Sequence, residues 1–459
     1  MLSLIIGAMN VPTDRAIHPG QQARSTPVVT VSHPARRPLP QTRLGALLNP
    51  DPRRLLHAVS IVLLLLWCVW WGLSLAHHEL IGVRHVWFRG FFGVDFLRCI
   101  DQPTRVWLAG GDPYAVYDVN MKPLFVYPPP VLRMFAWCGW FTPRQALAIW
   151  VASLGLMATA GAWASLHARK RLGLGDVPLS PVLVAVLFST PVVYAMERGN
   201  YDLVTVPLVI VGLALMRTET RWAHVAAGAA LSLAPWAKLY PGVLAVGLIA
   251  LRCWTSFAGF LLGAILIGAS SLDELQRFLV NQDQTVVPWV KLSQAFPKMP
   301  VYPAAHSLSA NWWRLWVHTP VAWLGRLDGR LAAIAILGPL LCWVSYHLFR
   351  CPQRDRLAYP YLMWILALAT FVPPIANDYS LGFLPLAALV VSDRRDPFLV
   401  KLAMAALCLW WQPLSLPING SVLLVIKLTG LAAVGVSLTE RCCELRPARL
   451  APIGAQVVH

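Results

Sequence analysis

The sequence of 459 residues is too apolar to be that of a soluble enzyme. Hydrophobic residues make up 57% of it, whereas Asp, Glu, Lys and Arg together make up only 13%, about half of the roughly 25% that is usual in a soluble globular domain. So few charges, together with 21 Trp residues and a mean hydropathy of +0.58, are typical of a polytopic membrane protein. The net charge of +17 indicates an anionic partner only if the basic residues cluster.

The first predicted transmembrane helix runs from Leu55 to Ala76, a segment of 22 residues without a formal charge. At about 1.5 Å per residue it crosses a hydrocarbon core of roughly 30 Å. Residues 1–54 carry seven Arg against two Asp, with many Pro, Ser and Thr, and are predicted to form a disordered basic tail. The positive-inside rule places this tail in the cytoplasm.

Further apolar stretches predict an all-α polytopic membrane protein with about ten to twelve crossings. We expect a transmembrane domain over 55–440 and a cytoplasmic C-terminal tail over 441–459. The piece that starts at Tyr127 is expected to be re-entrant or tilted, and 223–250 is expected to form two half-helices that meet near Lys238. The other stretches lie at about 145–166, 179–196, 203–216, 255–270, 331–349, 357–374, 379–392, 398–411 and 418–438.

The loops between these stretches alternate in charge. On this assignment the cytoplasmic side carries 21 Lys and Arg against 9 acidic residues, and the outer side carries 14 against 12. The long loops 77–125 and 271–330 then lie outside. Because the basic residues are spread over many short loops, their excess indicates the orientation of the protein in the membrane. No nucleic-acid partner is therefore predicted.

The first outer loop contains the strongest candidate for a catalytic group. On a regular helix Asp95, Arg98, Gln102 and Arg105 share one face. A solvated stripe on a surface helix explains this pattern equally well. Asp95 differs from its neighbours because it follows a membrane span and lies between apolar residues, where a carboxylate could act as a general base.

Lys238 is the second candidate, because a lysine within an apolar stretch of 28 residues is costly. A structural ion pair or snorkelling explains it without function, whereas a contact to an anionic phosphate gives it a role. The segment from Glu197 to Asp202 forms a polar tip between two helices, which a plain turn also explains.

Later segments offer further polar groups. His306 and Arg314 flank a pair of tryptophans at the end of the second large loop, and could bind phosphate or sugar while the tryptophans anchor the interface. Asp378 follows Pro373 and Pro374, and is either a helix N-cap or a ligand group.

The order of these segments resembles the polyprenyl-phosphate-dependent glycosyltransferases of the GT-C superfamily, in particular family 87, which includes bacterial alpha-mannosyltransferases. The features that carry the resemblance are Asp95-Phe96, Gly110 to Tyr114, Phe125 to Pro130, Gly199-Asn200, Ala226 to Gly228, Lys238 to Pro241, Ser307-Leu308 with Arg314, and a late loop that ends in Leu384-Pro385.

The resemblance implies a GT-C-like bundle that transfers a hexose (mannose above all) or a pentose from a polyprenyl-phosphate donor, with inversion. The acceptor would be a lipid-linked sugar or a polysaccharide on the outer face of a bacterial inner membrane. Asp95 would be the base, and Asp112 would orient the acceptor. Phosphate and sugar contacts would come from the matching positions Arg98, Tyr114, Asn200, Lys238, His306, Arg314, Asp378 and Tyr379.

No nucleotide cofactor is expected, and a divalent metal stays open, since Asp95, Asp101 and Asp112 could hold one only if the fold gathers them. Two other classes of protein fit the same composition. A polytopic lipid or sugar transporter, or flippase, is the first, and a non-catalytic assembly subunit is the second.

Overall fold

The computed structural model describes residues 52–76, 92–116, 125–283, 307–316, 319–373, 378–392 and 420–445. Within these residues every regular element is a helix. The predicted class, an all-α polytopic membrane protein, is confirmed.

The α-helices are numbered here in chain order. They are α1 (Pro52–Ala76), α2 (Val94–Phe96), α3 (Gln102–Leu108), α4 (Pro130–Met134), α5 (Pro143–Arg171), α6 (Leu179–Leu187), α7 (Thr190–Arg198), α8 (Thr205–Met216), α9 (Arg221–Ala237), α10 (Leu244–Ala250), α11 (Trp254–Ala269), α12 (Leu272–Asn281), α13 (Leu308–Trp316), α14 (Gly329–Arg350), α15 (Arg354–Ala369), α16 (Phe383–Val391) and α17 (Gly420–Glu444). A π-helical turn, Leu97–Asp101, joins α2 to α3. Short 3₁₀ helices are Pro113–Ala115, Ala136–Trp140, Asp202–Val204, Tyr240–Val243, Ala322–Arg326 and Asp378–Gly382.

Three described helices, α1, α5 and α14, are long and apolar enough to cross a membrane. The bent pairs α6–α7 and α11–α12 raise that number to as many as five, with bends of 58° and 86°. The segments Asp202–Met216, Tyr240–Ala250 and Ser380–Val391 are apolar but shorter, and the predicted stretch 398–411 lies outside the described residues. The count of about ten to twelve crossings therefore stays a prediction.

Helix α15 forms the centre of the bundle. All its residues from Leu357 to Ala369 are buried, as expected for a helix that is apolar on every side. Its polar atoms are satisfied by its neighbours: the Tyr359 hydroxyl donates to the Gly161 carbonyl on α5 at 2.9 Å, and Trp364 Nε1 donates to the Leu431 carbonyl on α17 at 2.8 Å.

Helices α9 and α11 pack closely against each other, and small residues form their contact. A side chain at Gly228 would strike the backbone of Ser256 and Phe260, and one at Gly259 would strike the backbone of Val225. Gly263 lies four residues after Gly259, against Ala229. This Gly-x-x-x-Gly spacing lets the two backbones touch, which membrane helices use in place of a hydrophobic driving force.

Both places that the sequence marked as interrupted are interrupted. Helix α9 ends at Ala237, Lys238 is extended (φ −143°, ψ 146°), and a 3₁₀ turn leads into α10. After Tyr127 the chain forms only α4 and the 3₁₀ helix Ala136–Trp140, each far shorter than the roughly 20 residues that a helical span requires.

Candidate active site

The polar tip, which we define as Glu197 to Asp202, packs directly on α2. Helix α7 ends in a left-handed glycine, Gly199 (φ 68°), and the Asn200 N–H donates back to the Ala195 carbonyl at 2.8 Å. A Cβ built on Gly199 would lie 2.6 Å from the Cβ of Phe96. Gly93, also left-handed, donates its N–H to the Glu197 carbonyl at 2.7 Å. Two glycines thus bring Asp95 against the tip.

Asp95 forms an ion pair with Arg198 across this contact. Arg198 donates to Asp95 Oδ1 at 2.7 Å, and both side chains are largely buried. Asp95 Oδ2 has no hydrogen-bond partner among the residues that the structure describes. The carboxylate is therefore held by one oxygen while the other remains available to a proton donor.

Lys238 forms a second ion pair at the other end of the tip. Its Nζ lies 2.5 Å from Asp202 Oδ1, and the Asp202 side chain is only 1% exposed. Ser380 donates a short hydrogen bond to Asp202 Oδ2. Because Lys238 stands where α9 breaks, its backbone is free to turn the ammonium toward the tip rather than along the helix. The predicted structural ion pair is observed, and it leaves Lys238 18% exposed.

Aromatic residues fix the tip between these ion pairs. The Tyr201 hydroxyl donates to the Ala237 carbonyl at 2.8 Å, and the Tyr201 ring lies 4.9 Å from that of Tyr127 and 5.4 Å from Lys238 Nζ. Burial raises the pKa of Tyr201 well above its ordinary value, so its hydroxyl stays a donor. Trp150 of α5 donates to the Gly199 carbonyl at 2.8 Å. The segment after Tyr127 therefore serves as a wall of this site.

Asn200 is part of the tip itself. It is buried, and its Oδ1 accepts the Asp202 N–H at 3.1 Å in a local turn. Its Nδ2 finds no hydrogen-bond partner within the described residues. One donor of this amide is therefore left over in a buried, charged neighbourhood.

The helix that follows Asp95 is shifted by the π turn. Arg98 and Gln102 are exposed, as a solvated face requires, whereas Asp101 is turned inward and is 2% exposed. Arg105 pairs with Asp101 at 2.9 Å and donates to the carbonyls of Cys138 and Phe141 at 2.8 Å. The hydrogen bond to Asp101 raises the pKa of Arg105. Arg105 therefore anchors this helix to the 3₁₀ helix Ala136–Trp140 instead of serving Asp95.

Asp112 and Tyr114 form a turn at the end of the first outer loop. Asp112 is exposed and accepts the Tyr114 N–H at 2.9 Å, which caps the 3₁₀ helix Pro113–Ala115. Tyr114 is buried against Phe125 and Phe278, and its hydroxyl donates to the Tyr127 carbonyl at 3.2 Å. Burial raises the pKa of Tyr114. The structure gives Tyr114 a packing position behind the tip and leaves Asp112 accessible.

The remaining predicted residues are described in part. His306 lies outside the described residues, and so do the side chains of Arg314 on α13 and of Asp378 and Tyr379 in the 3₁₀ helix Asp378–Gly382. Their described neighbours are connected: Ser307 donates to the Pro373 carbonyl at 2.5 Å, and Leu308 N–H to the Phe371 carbonyl at 2.9 Å. The start of α13 is thus attached to the end of α15, after which the chain reaches Ser380 at the tip.

The three acidic residues considered for a metal occupy separate positions. Asp95 pairs with Arg198, Asp101 with Arg105, and Asp112 caps a turn. In the described part of the chain no group of three His, Cys, Asp or Glu side chains could hold a metal ion.

The sequence predicts a polar turn at the tip, but Arg198, Asp202 and Ser380 are not among the predicted site residues. The available signal was the presence of Glu197, Arg198 and Asp202 between apolar helices, where charged side chains are costly unless they are paired. Arg198 is about 100 residues from its partner Asp95, and Asp202 is 36 residues from its partner Lys238. Such distant pairs cannot be predicted from the spacing of residues in the sequence.

The chain was compared with known proteins. The sequence model of glycosyltransferase family 87 matches residues 125–374, more than half of the chain. Comparison with curated proteins and with solved structures gives no match. The matched region contains the polar tip, Lys238 and the wall at Tyr127, and Asp95 lies just before it.

Proposed function

This chain belongs to glycosyltransferase family 87, and we propose that it transfers a hexose, mannose above all, or a pentose from polyprenyl phosphate. The acceptor would be a glycolipid or a polysaccharide. Membership in the family makes the protein a membrane glycosyltransferase. The donor, sugar and acceptor are our proposal, which follows from the resemblance and from the chemistry of the tip.

The observation that carries the proposal is the placement of the Asp95 carboxylate and of two cations, Arg198 and Lys238, around the six-residue polar tip. Asp95 and Arg198 lie at one end and Lys238 and Asp202 at the other. Inverting transfer needs a base for the acceptor hydroxyl and positive charge for the departing phosphate. The tip supplies both in a partly buried place, where charges act more strongly than in water.

In the proposed step, the acceptor hydroxyl gives its proton to Asp95 Oδ2 while its oxygen forms a bond to the anomeric carbon. The bond between that carbon and the phosphate oxygen breaks, and the polyprenyl phosphate leaves with the electron pair. Lys238 and Arg198 stabilise the negative charge that develops on it, and the transition state is oxocarbenium-like. Asp112, which is exposed, would orient the acceptor.

The orientation of α5 supports an active site on the outer face. Trp150, which binds the tip, and Lys170, in the basic last turn, are separated along α5 by about 30 Å at 1.5 Å per residue. That is about the thickness of the hydrocarbon core. If the basic end is cytoplasmic by the positive-inside rule, the tip faces the other side. We therefore propose a bacterial inner membrane location, cytoplasmic termini and an external site.

The test is Asp95→Asn, with Asp273→Asn as the matched control, because Asp273 is exposed on α12 and makes the same loss of charge. Purified full-length protein is given synthetic polyprenyl-phosphate mannose or its pentose counterpart, with octyl mannoside as the acceptor probe. Loss of a general base is expected to reduce transfer by about 10²- to 10⁴-fold. Asp273→Asn should keep its rate.

Two results would contradict the proposal. If Asp95→Asn, folded by gel filtration, transfers sugar at the rate of the control, Asp95 is not the base. If none of the donors is consumed but a fluorescent polyprenyl phosphate crosses the bilayer of proteoliposomes, the protein is a lipid flippase rather than a transferase of this donor class.

A further inference from the structure

Two neighbouring cavities open at the end of α5 that is remote from the polar tip. One is about 260 Å³ and is lined by Arg53 and His57 of α1, and the other is about 300 Å³ and is lined by Trp163, His167 and Lys170 of α5. The loop after α5 separates them, and its Asp176 and Val177 line both. We propose that these cavities, together the basic double cavity, bind the phosphate headgroup of a membrane lipid.

Positive charge prevails in the basic double cavity. Arg53, Arg169 and Lys170 line it against a single acidic residue, Asp176. The Arg169 guanidinium donates hydrogen bonds to the carbonyls of Leu389 and Ser392, at 3.2 and 2.6 Å. Lys170 is exposed and forms no ion pair within the described residues. The charge of Lys170 is therefore available to a ligand.

Several elements contribute to this charge. Arg171 ends α5 and Arg217 follows α8. Together with Lys170 they place positive charge near His167. Compensation of the helix dipole explains basic residues in the last turn of α5. Arg53 lines the other cavity from the first turn of α1. An anion bound between α1 and α5 would therefore meet positive charge from both helices.

A stripe along α5 indicates that the anion belongs to a lipid. Ile149, Leu156, Trp163 and Lys170 recur every seven residues, so they share one face. All four are exposed, Leu156 by 70% and Trp163 by 56%. Apolar side chains come first, then an interfacial tryptophan stacked on His167 at 5.7 Å, then the ammonium. Leu156, Trp163 and Lys170, which span about 21 Å at 1.5 Å per residue, follow the order of acyl chain, interface and headgroup across one leaflet.

The size of the cavities fits a headgroup. Each is at or just below the lower end of the range for small-molecule pockets, so they would hold a phosphate and a short polar substituent while the acyl chains remain on the α5 stripe. A basic residue near an anionic lipid surface contributes roughly 1 kcal/mol to the free energy of binding, which corresponds to a factor of about five in the dissociation constant.

The test uses native mass spectrometry of the full-length protein, released from micelles that contain equal amounts of phosphatidylglycerol and phosphatidylcholine. We expect wild type to retain phosphatidylglycerol preferentially and Lys170→Gln to lower that retention about fivefold. Lys170→Arg should retain it. Arg221→Gln is the matched control, since Arg221 is an exposed basic residue that does not line the cavities. Arg53→Gln is a second variant that changes the other cavity.

A second measurement separates a lipid from a soluble phosphate. Phosphatidylglycerol should raise the Tm of wild type more than that of Lys170→Gln, whereas millimolar inorganic phosphate should leave both unchanged. Equal losses in Lys170→Gln and Arg221→Gln, or no loss in Lys170→Gln and Arg53→Gln, would overturn the site. If inorganic phosphate raises the Tm as much as phosphatidylglycerol does, the ligand is a soluble phosphate and the assignment to a lipid is refuted. Sugar transfer is not required for any of these measurements.

Discussion

Replacing Gly199 by alanine tests whether the contact between the polar tip and α2 positions Asp95. Gly199 has φ 68°, a conformation that costs an L-residue about 1–2 kcal/mol. In addition, the new Cβ would lie 2.6 Å from Phe96 Cβ, whereas carbon atoms in contact are about 3.5–4.0 Å apart. Either the tip or α2 must therefore move by about 1 Å.

A matched control separates these two effects. Gly173, after α5, ends its helix in the same way, with φ 72° and a backward hydrogen bond from the following Leu174 N–H to the Arg169 carbonyl. A Cβ on Gly173 meets nothing within 4 Å. Gly173→Ala should therefore cost about 1–2 kcal/mol for the backbone alone. Gly199→Ala should cost about 1–3 kcal/mol more, the usual range for overpacking.

The effect on sugar transfer should differ more sharply than the effect on stability. A displacement of about 1 Å at a catalytic group can lower a rate by about 100-fold. We therefore expect Gly199→Ala to lose about two orders of magnitude in transfer and Gly173→Ala to remain near wild type. Denaturant unfolding in mixed micelles gives the stabilities. If both variants lose the same stability and both transfer sugar normally, the contact with Phe96 does not position Asp95.

Two further predictions concern paired charges and helix packing. Lys238→Met leaves the buried Asp202 carboxylate without its cation, so it should lower the free energy of unfolding by about 3–5 kcal/mol. Adding Asp202→Asn should recover part of that loss, and a double mutant as unstable as Lys238→Met would argue against the pair. Gly228→Ala should destabilise strongly because its Cβ meets the α11 backbone, whereas Gly338→Ala, in open space within α14, should stabilise by up to about 1 kcal/mol. Equal unfolding midpoints for these two variants would contradict the close contact of α9 and α11.

The fold class and the interruptions could be predicted because they depend on local sequence. The apolar run of α1 and the Pro-rich breaks after Tyr127 and at Lys238 each reflect hydropathy or backbone chemistry within a few residues. The lengths of the helices were harder to predict. Helices α6 and α7 divide one predicted span with a bend of 58°, since Pro191 and Ser189 at their junction favour a new helix start over continuation.

The site could be predicted only in part, because it is formed by distant pairs. Asp95 and Lys238 are predicted from their unusual surroundings, and both form ion pairs with residues of the polar tip, Arg198 and Asp202. An α-helical period places Arg98 and Arg105 on one face with Asp95, and the π turn Leu97–Asp101 changes that period. A π turn has no simple sequence signature and often occurs at functional sites. Asp101, the partner of Arg105, lies in this π turn and is buried.

The two ion pairs of the tip differ in how easily a bound substrate could separate them. Asp202 is buried and bound by both Lys238 and Ser380, so its carboxylate is held in place and in turn holds the ammonium of Lys238. Asp95 is bound through one oxygen by a single guanidinium and is partly exposed. A donor phosphate would compete with Asp95 for Arg198 but could not easily displace Lys238 from Asp202. If the proposed donor binds there, we expect it to loosen Asp95 and leave the rest of the tip unchanged, so that Arg198 would be the mobile part of the site and Lys238 the rigid part.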